Sequence, residues 1–227
     1  MRRFLSPVFS FLLSFALALL SLSTLINGSA TSPALMLSML CRHAPSAATG
    51  LPDEDYPAMA DMIARYLAGS EIPFQYVLTA TDGSETVCFN AREQQHMADC
   101  RALFVLCRGV QLFSGMMSAL LALLLLLLRD MRRSSSGFLA GGGLVLACVL
   151  ALLGWGIADF DGLFVRFHQL SFANHLWLLN PRTDMLIRLM PTSFFVQWGG
   201  VIGAVWLLFL ALAEAVAAAA HRRSRHG

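Results

Sequence analysis

Residues 103–133 read LFVLCRGVQLFSGMMSALLALLLLLLRDMRR. The first 26 of these hold a single charged side chain, Arg108, and the run then ends abruptly on Arg129, Arg132 and Arg133. About 20 apolar residues in a helix cross a hydrocarbon core roughly 30 Å thick. A helix that is apolar all round has no face to offer water. The stretch therefore reads as a membrane span with a basic flank, and that reading decides the fold.

Three more segments pass the same test: 4–26, 138–157 and 194–220. The whole chain agrees, with 57% hydrophobic residues, only 13% charged and a mean hydropathy of +0.64 over 227 residues. A soluble domain usually carries about 25% charge. All sixteen basic residues are Arg. Arg2 and Arg3 precede the first span, while Arg222, Arg223 and Arg225 follow the last. If all four segments cross, these five and the three after residue 128 lie on one side, which the positive-inside rule makes cytoplasmic. Segment 28–102 has the opposite balance, four Arg against nine acidic residues, and belongs outside. The expected plan is an α-helical membrane protein with both termini inside. Spans lie in 1–27, 103–128, 138–157 and 194–220, a cytoplasmic loop at 129–137, an external loop at 158–193 and a basic tail at 221–227. Gly28-Ser29-Ala30 loosely resembles a signal-peptide cleavage site, but the preceding apolar run is about twice the usual h-region. A retained anchor is expected.

The 28–102 insert is too long for a bare connector and should fold. DEDYPAMADMIARYL (53–67) spaces Met59, Ile63 and Leu67 four apart, with acidic residues in the first turn, and predicts a helix. FQYVLTATDGSETVCF (74–89) alternates around Asp82-Gly83 and predicts a β-hairpin. Two strands are marginal alone, so the hairpin must pack on that helix or on the spans. Asn90-Ala91-Arg92-Glu93 has the form of a capping box, with Asn90 as N-cap and Glu93 at N3. One helix should then run from Ala91 into the second span, setting His96 about 10 Å above Leu103, near headgroup level. Gly137/Gly141 and Gly199/Gly203 predict close helix packing. The five Cys form no CxxC pair, and no disulfide is assigned.

Loop 158–193 carries FHQLSFANHLWLLNPRTDMLIRLMPTSFF at 167–195. Its Phe160, Phe164, Phe167, Phe172 and Trp177 suit an element lying in the membrane interface. Residues 184–190 suit a brief helix. Such an element puts His168 and Asn174 at the depth of His96. A lone interfacial histidine is most often a headgroup contact, but two at one depth on separate elements can act together as proton carriers near neutral pH. Glu93 and Asp99, at i−3 and i+3 from His96, are within reach of its ring, although a solvated acidic face also explains Asp99. A zinc site from His96, Cys100, His168 and His175 has suitable ligand types but no diagnostic spacing. The chain shows no Gly-x-Ser-x-Gly elbow, phosphate loop, dinucleotide fingerprint or basic-aromatic nucleic-acid surface. It also lacks the buried charge series that ion-coupled transporters use.

Taken with NAREQQHMADCRALF at 90–104, this motif resembles the bacterial lipoprotein intramolecular transacylases (Lit), four-span membrane enzymes. The resemblance rests on Glu93, His96-Met97 and Asp99, then on Phe167-His168, Phe172, Asn174, Trp177, Pro181, Asp184, Leu186-Ile187 and Phe194-Phe195. The chain departs from the family pattern at Cys100, His175 and Asn180. The resemblance implies transfer of the acyl chain from the sn-2 ester of a lipoprotein's S-diacylglyceryl group to the α-amino group of its N-terminal Cys, giving the lyso-form lipoprotein. It further implies a bacterial cell-membrane enzyme with its site on the extracellular face and neither cofactor nor metal. The protein would act as a monomer, on diacylglyceryl-modified lipoproteins, among membrane lipid. On this reading His168 and His96 are the catalytic pair, with His168 the favoured base. Glu93 would orient His96, and Asn174 and Asp184 would shape or polarise the site. Trp177, Phe164, Phe167 and Phe172 would seat the loop and contact lipid and substrate. The competing expectation is a non-enzymatic envelope sensor of metal or lipid built on the same His and Cys residues.

Overall fold

The structure is a computed structural model that describes residues 2–79 and 83–226, with the side chains of 4–79 and 83–224. α1 (Arg2–Ala30) is followed by α2 (Pro33–His43), α3 (Ser46–Thr49), a 3-10 turn at Asp53–Asp55 and α4 (Tyr56–Leu67). β1 (Val77–Thr79) and β2 (Glu85–Val87) pair antiparallel, with Val77 opposite Val87 and Thr79 opposite Glu85. Then come α5 (Ala91–Leu128), α6 (Met131–Ala158), α7 (Phe160–Ser171), α8 (Met185–Leu189) and α9 (Thr192–His226). Among the described residues, helices α1, α5, α6 and α9 are long and apolar enough to cross a membrane. This is the four-span helical fold with a small two-stranded insert that the sequence predicts. The chain divides into two compact units. One holds Met1–Leu25, Arg108–Asp159 and Val201–Gly227, the other Ile26–Cys107 and Phe160–Gly200.

In the first unit, small residues set the helix spacing. A Cβ on Gly137 would run into the Pro7 carbonyl and Ser10 of α1, and one on Gly141 would run into Ser14 and Phe11. Both contacts advance in the same direction, so α1 and α6 run parallel. Gln111 Nε2 donates to Thr24 Oγ1 at 3.0 Å, and Gly115 lies beside Leu20, so α5 runs antiparallel to α1. Helix α9 is antiparallel to α6. Ser135 Oγ meets His221 Nδ1 at 3.1 Å, the Glu214 carboxylate fills the notch at Gly142, and Leu153 lies against Gly203. The starts of α1 and α6 and the ends of α5 and α9 thus share one end of this unit. The expected contact at Gly199 is not made, because nothing lies within 4 Å of its would-be Cβ. Helix α6 also begins earlier than its apolar run. Arg129 takes a left-handed φ of 54°, Asp130 caps the next helix by accepting from Arg133 N, and residues 131–137 are already helical.

In the second unit, α2 packs on α4 around Leu40, Met59 and Ile63, all fully buried. Helix α2 is an element beyond those the sequence predicts; Ser32 caps it by accepting from Leu35 N, and Pro33 occupies the first turn, where its missing N–H costs nothing. Tyr56 donates its hydroxyl to the Ala44 carbonyl and pairs with Thr49 Oγ1, locking the link between α2 and α4. The hairpin packs on α4 as expected. Tyr76 donates to Asp55 Oδ1 at 2.6 Å, and Phe74 stacks between Tyr66 and Phe89. Residues 80–82, with Asp82 of the turn signature, fall outside the described residues. At the other side of the unit, His43 Nε2 donates to Gln197 Oε1 at 2.6 Å, which leaves Nδ1 to accept from Ser193 Oγ at 3.1 Å and fastens α2 to the start of α9.

Candidate active site

The second unit brings His96 and His168 together, 72 residues apart in sequence, with ring centroids 6.1 Å apart. Each is about 6% exposed. His96 stands in the second turn of α5. That start is the capping box the sequence predicts: Asn90 Oδ1 accepts from Glu93 N at 3.0 Å, and Glu93 Oε2 accepts from Asn90 N at 2.8 Å. His168 stands on α7, a helix rather than the loosely amphipathic loop expected. Phe160, Phe164 and His168 recur every fourth residue on one face of α7, while Leu170 and Val165 point away and are exposed.

Aromatic rings enclose the pair. Phe172 lies 5.2 Å from the His96 ring and 5.5 Å from the His168 ring. Phe164 and Trp177 stack on His168 at 4.1 and 5.0 Å, and the half-exposed Phe167 meets it edge-on at 5.3 Å. Phe195, at the start of α9, backs Phe164.

The hydrogen bonds assign the His168 tautomer. Its Nδ1 lies 2.7 Å from the Phe164 carbonyl oxygen, which only accepts, so Nδ1 carries the proton and Nε2 keeps its lone pair. Burial pulls the His168 pKa below the usual value, opposed by that carbonyl hydrogen bond. The ring is therefore a neutral imidazole with a basic Nε2. On His96, Nε2 lies 3.7 Å from Cys100 Sγ, and Nδ1 is buried with no hydrogen-bond partner among the described residues.

The acidic and amide residues hold the frame. Glu93, expected to orient His96, makes no hydrogen bond to its ring. Its carboxylate accepts instead from two backbone donors, Asn90 N at 2.8 Å and Leu186 N at 2.6 Å. Glu93 is 1% exposed and fastens α5 to α8. Asp184 accepts from Asn90 Nδ2, Thr183 Oγ1 and Asn180 N. Burial pushes its pKa up, but those hydrogen bonds outweigh it and hold the carboxyl below its ordinary range, ionised at neutral pH. Asn174 is equally occupied. Its amide donates to Asp99 Oδ2 at 2.8 Å, its side-chain oxygen accepts from Leu176 N, and its carbonyl accepts from Trp177 Nε1. These bonds fix the orientation of its side chain. His175 is exposed, and its carbonyl accepts from Arg92. Among the described residues no three His, Cys, Asp or Glu side chains converge to hold a metal ion, so the four-ligand set with His175 does not assemble. No disulfide joins any of the five cysteines among the described residues.

The Phe164 carbonyl, the Leu186 N–H and the Asp99 carboxylate are partners in this frame that the sequence alone does not reveal. The first two are backbone groups with no residue signature. The first is an i−4 contact that exists only because α7 is helical.

Four apolar helices and a buried histidine pair walled by aromatics define an integral membrane protein with a candidate acid–base site. The sequence profile of the lipoprotein intramolecular transacylase (Lit) family matches residues 9–195, and the chain belongs to that family. Its fold is similar to that of the membrane-integral lipoprotein intramolecular transacylase Lit from Bacillus cereus, with a TM-score of 0.78 at 18% identity over 97% of both chains. Histidine-to-arginine and histidine-to-alanine variants of that protein match with TM-scores of 0.68 and 0.71, at 19% and 18% identity. Each covers all of this chain, and 94% and 96% of the respective variant chain. No curated protein sequence matches it.

Proposed function

We propose that this transacylase moves the acyl chain from the sn-2 ester of an S-diacylglyceryl-Cys to that cysteine's own α-amino group, leaving a lyso-form lipoprotein. The observation that carries the reading is the buried, neutral His168, whose Nδ1 is spoken for and whose Nε2 is basic. The amine nitrogen attacks the ester carbonyl carbon while His168 Nε2 takes its proton. When the tetrahedral intermediate collapses, the bond to the glycerol oxygen breaks and His168 returns the proton to that oxygen. An amide and a free hydroxyl result, with no water or second lipid consumed. His96, with its unpartnered Nδ1, is the donor for the developing oxyanion.

The α-amino pKa of about 7.7–8.0 makes only modest help necessary. Amine and ester share one molecule, so the main work is to fold the substrate back and hold it. Phe164, Phe167, Phe172 and Trp177 form the apolar wall against which the acyl chain lies. The Arg residues gathered at one end of the span unit favour a cytoplasmic position for that end. The site then lies on the extracellular face of the bacterial membrane, where mature lipoproteins reside. The protein acts as a monomer.

Mass spectrometry of a model lipoprotein's N-terminus, from cells producing His96→Ala or His168→Ala protein, tests this. Loss of the lyso-form in both variants is expected, and undiminished lyso-form in both sinks the reading.

A further inference from the structure

His96 is bracketed by two clasps. One turn before it, Glu93 holds the Leu186 N–H, and one turn after it, Asp99 holds the Asn174 amide. The first clasp leads to α8. The second leads back to the other histidine, since the Asn174 carbonyl accepts from Trp177 Nε1 at 3.0 Å and the Trp177 ring lies 5.0 Å from the His168 ring. The side-chain oxygen of Asn174 is fixed as well, by the Leu176 N–H at 3.0 Å, so Asn174 has no freedom to relay a slack contact. The two imidazoles sit on different helices, and this path joins them through side chains of stated geometry.

We propose that Asp99 is a positioning residue for the acyl transfer: through Asn174 and Trp177 it sets the His168 ring against His96. The inference rests on the His96–His168 reading above. Asp99 acts here as a hydrogen-bond acceptor on α5. The carboxylate accepts a charge-assisted N–H at 2.8 Å, and such bonds are directional enough to fix the loop that carries Trp177. A displacement on the order of 1 Å at a reacting group is enough to cost a large rate factor while leaving substrate affinity intact.

The test uses full-length protein in detergent or nanodiscs and a synthetic S-diacylglyceryl lipopeptide, with product followed by mass spectrometry. Asn174→Asp sets two carboxylates face to face. It is expected to lower kcat by about tenfold or more with KM within about twofold of wild type. The exchange Asp99→Asn with Asn174→Asp restores a donor facing an acceptor, with the partners reversed, and is expected to return kcat to within about threefold. If Asn174→Asp does not fold, Asp99→Ala deletes the acceptor without adding a charge and carries the same expectation for kcat and KM. Wild-type kcat in Asn174→Asp or Asp99→Ala, an exchange no faster than Asn174→Asp, or parallel changes in kcat and KM would overturn the proposal. His96→Ala and His168→Ala are assayed alongside. If they stay active the dyad reading falls and this inference with it. If they are dead and the Asp99 variants are normal, this inference alone fails.

Discussion

Leu186 donates its backbone N–H to the Glu93 carboxylate at 2.6 Å, joining α8 to the first turn of α5 across 93 residues of sequence. Glu93 serves the helix cap with its other oxygen, so one buried carboxylate satisfies two backbone donors. A buried donor left without a partner costs about 1–3 kcal/mol. Glu93→Ala is therefore expected to destabilise the protein by about 2–4 kcal/mol, read as a lower melting temperature in detergent. Glu93→Gln keeps one acceptor oxygen and should fall between the two. A Glu93→Ala protein that melts like wild type while losing activity would move Glu93 from the frame into the chemistry.

How far this site was legible depends on how local each signal is. The capping box at Asn90 and Glu93 lies within four residues, and the structure forms it as written. The four spans are long runs whose length alone excludes alternatives. The helical spacing of Met59, Ile63 and Leu67 buries all three. The partners of the polar side chains were not legible, because they come from elsewhere in the chain. Glu93 has His96 within reach on its own helix, yet the tertiary fold delivers the Leu186 N–H, a stronger claimant. Asn174 reads as a spare amide until folding sets it against Asp99, 75 residues away. Loop 158–193 hid helix α7 because an interfacial helix with His, Arg and Gln among its Phe residues has no clean polar face in sequence.

The glycines of α6 offer a graded test of the span unit. A methyl on Gly137 would press on the Pro7 backbone carbonyl, which has nowhere to go, whereas nothing lies within 4 Å at Gly143. Gly137→Ala and Gly141→Ala should each cost about 1–3 kcal/mol through overpacking against α1. Gly143→Ala should be neutral or slightly stabilising, since Ala is the better helix former. Thermal melting of the three proteins in one detergent ranks them, and equal melting temperatures would contradict the packing of α1 on α6.

The roles given to the two histidines differ, and glutamine separates them. Gln has an amide N–H but no basic nitrogen, so it can stand in for a donor and not for a base. His96→Gln is expected to retain more activity than His96→Ala. His168→Gln should be no better than His168→Ala, both down by about 10²–10⁴-fold, the usual worth of general base catalysis. The initial rate of lyso-form production from the synthetic lipopeptide measures all four. The reverse pattern would exchange the two assignments.

The acid limb of the reaction follows from the burial of His168. Its folded pKa lies below the ordinary value of about 6.5. The base thus stays neutral as the pH falls through that value and is lost only lower down. The substrate amine, with a pKa of about 7.7–8.0, is protonated first. The logarithm of kcat/KM should therefore fall with unit slope below the amine pKa, and steepen to a slope of two only below the depressed His168 value. Stability follows the same sign. Below about pH 6.5 the unfolded chain takes up a proton at this site that the folded one refuses, so the protein weakens as the pH falls toward the folded value. A break to a slope of two already at pH 6.5 would mean that His168 titrates as an exposed imidazole, contrary to its burial behind Phe164, Phe172 and Trp177.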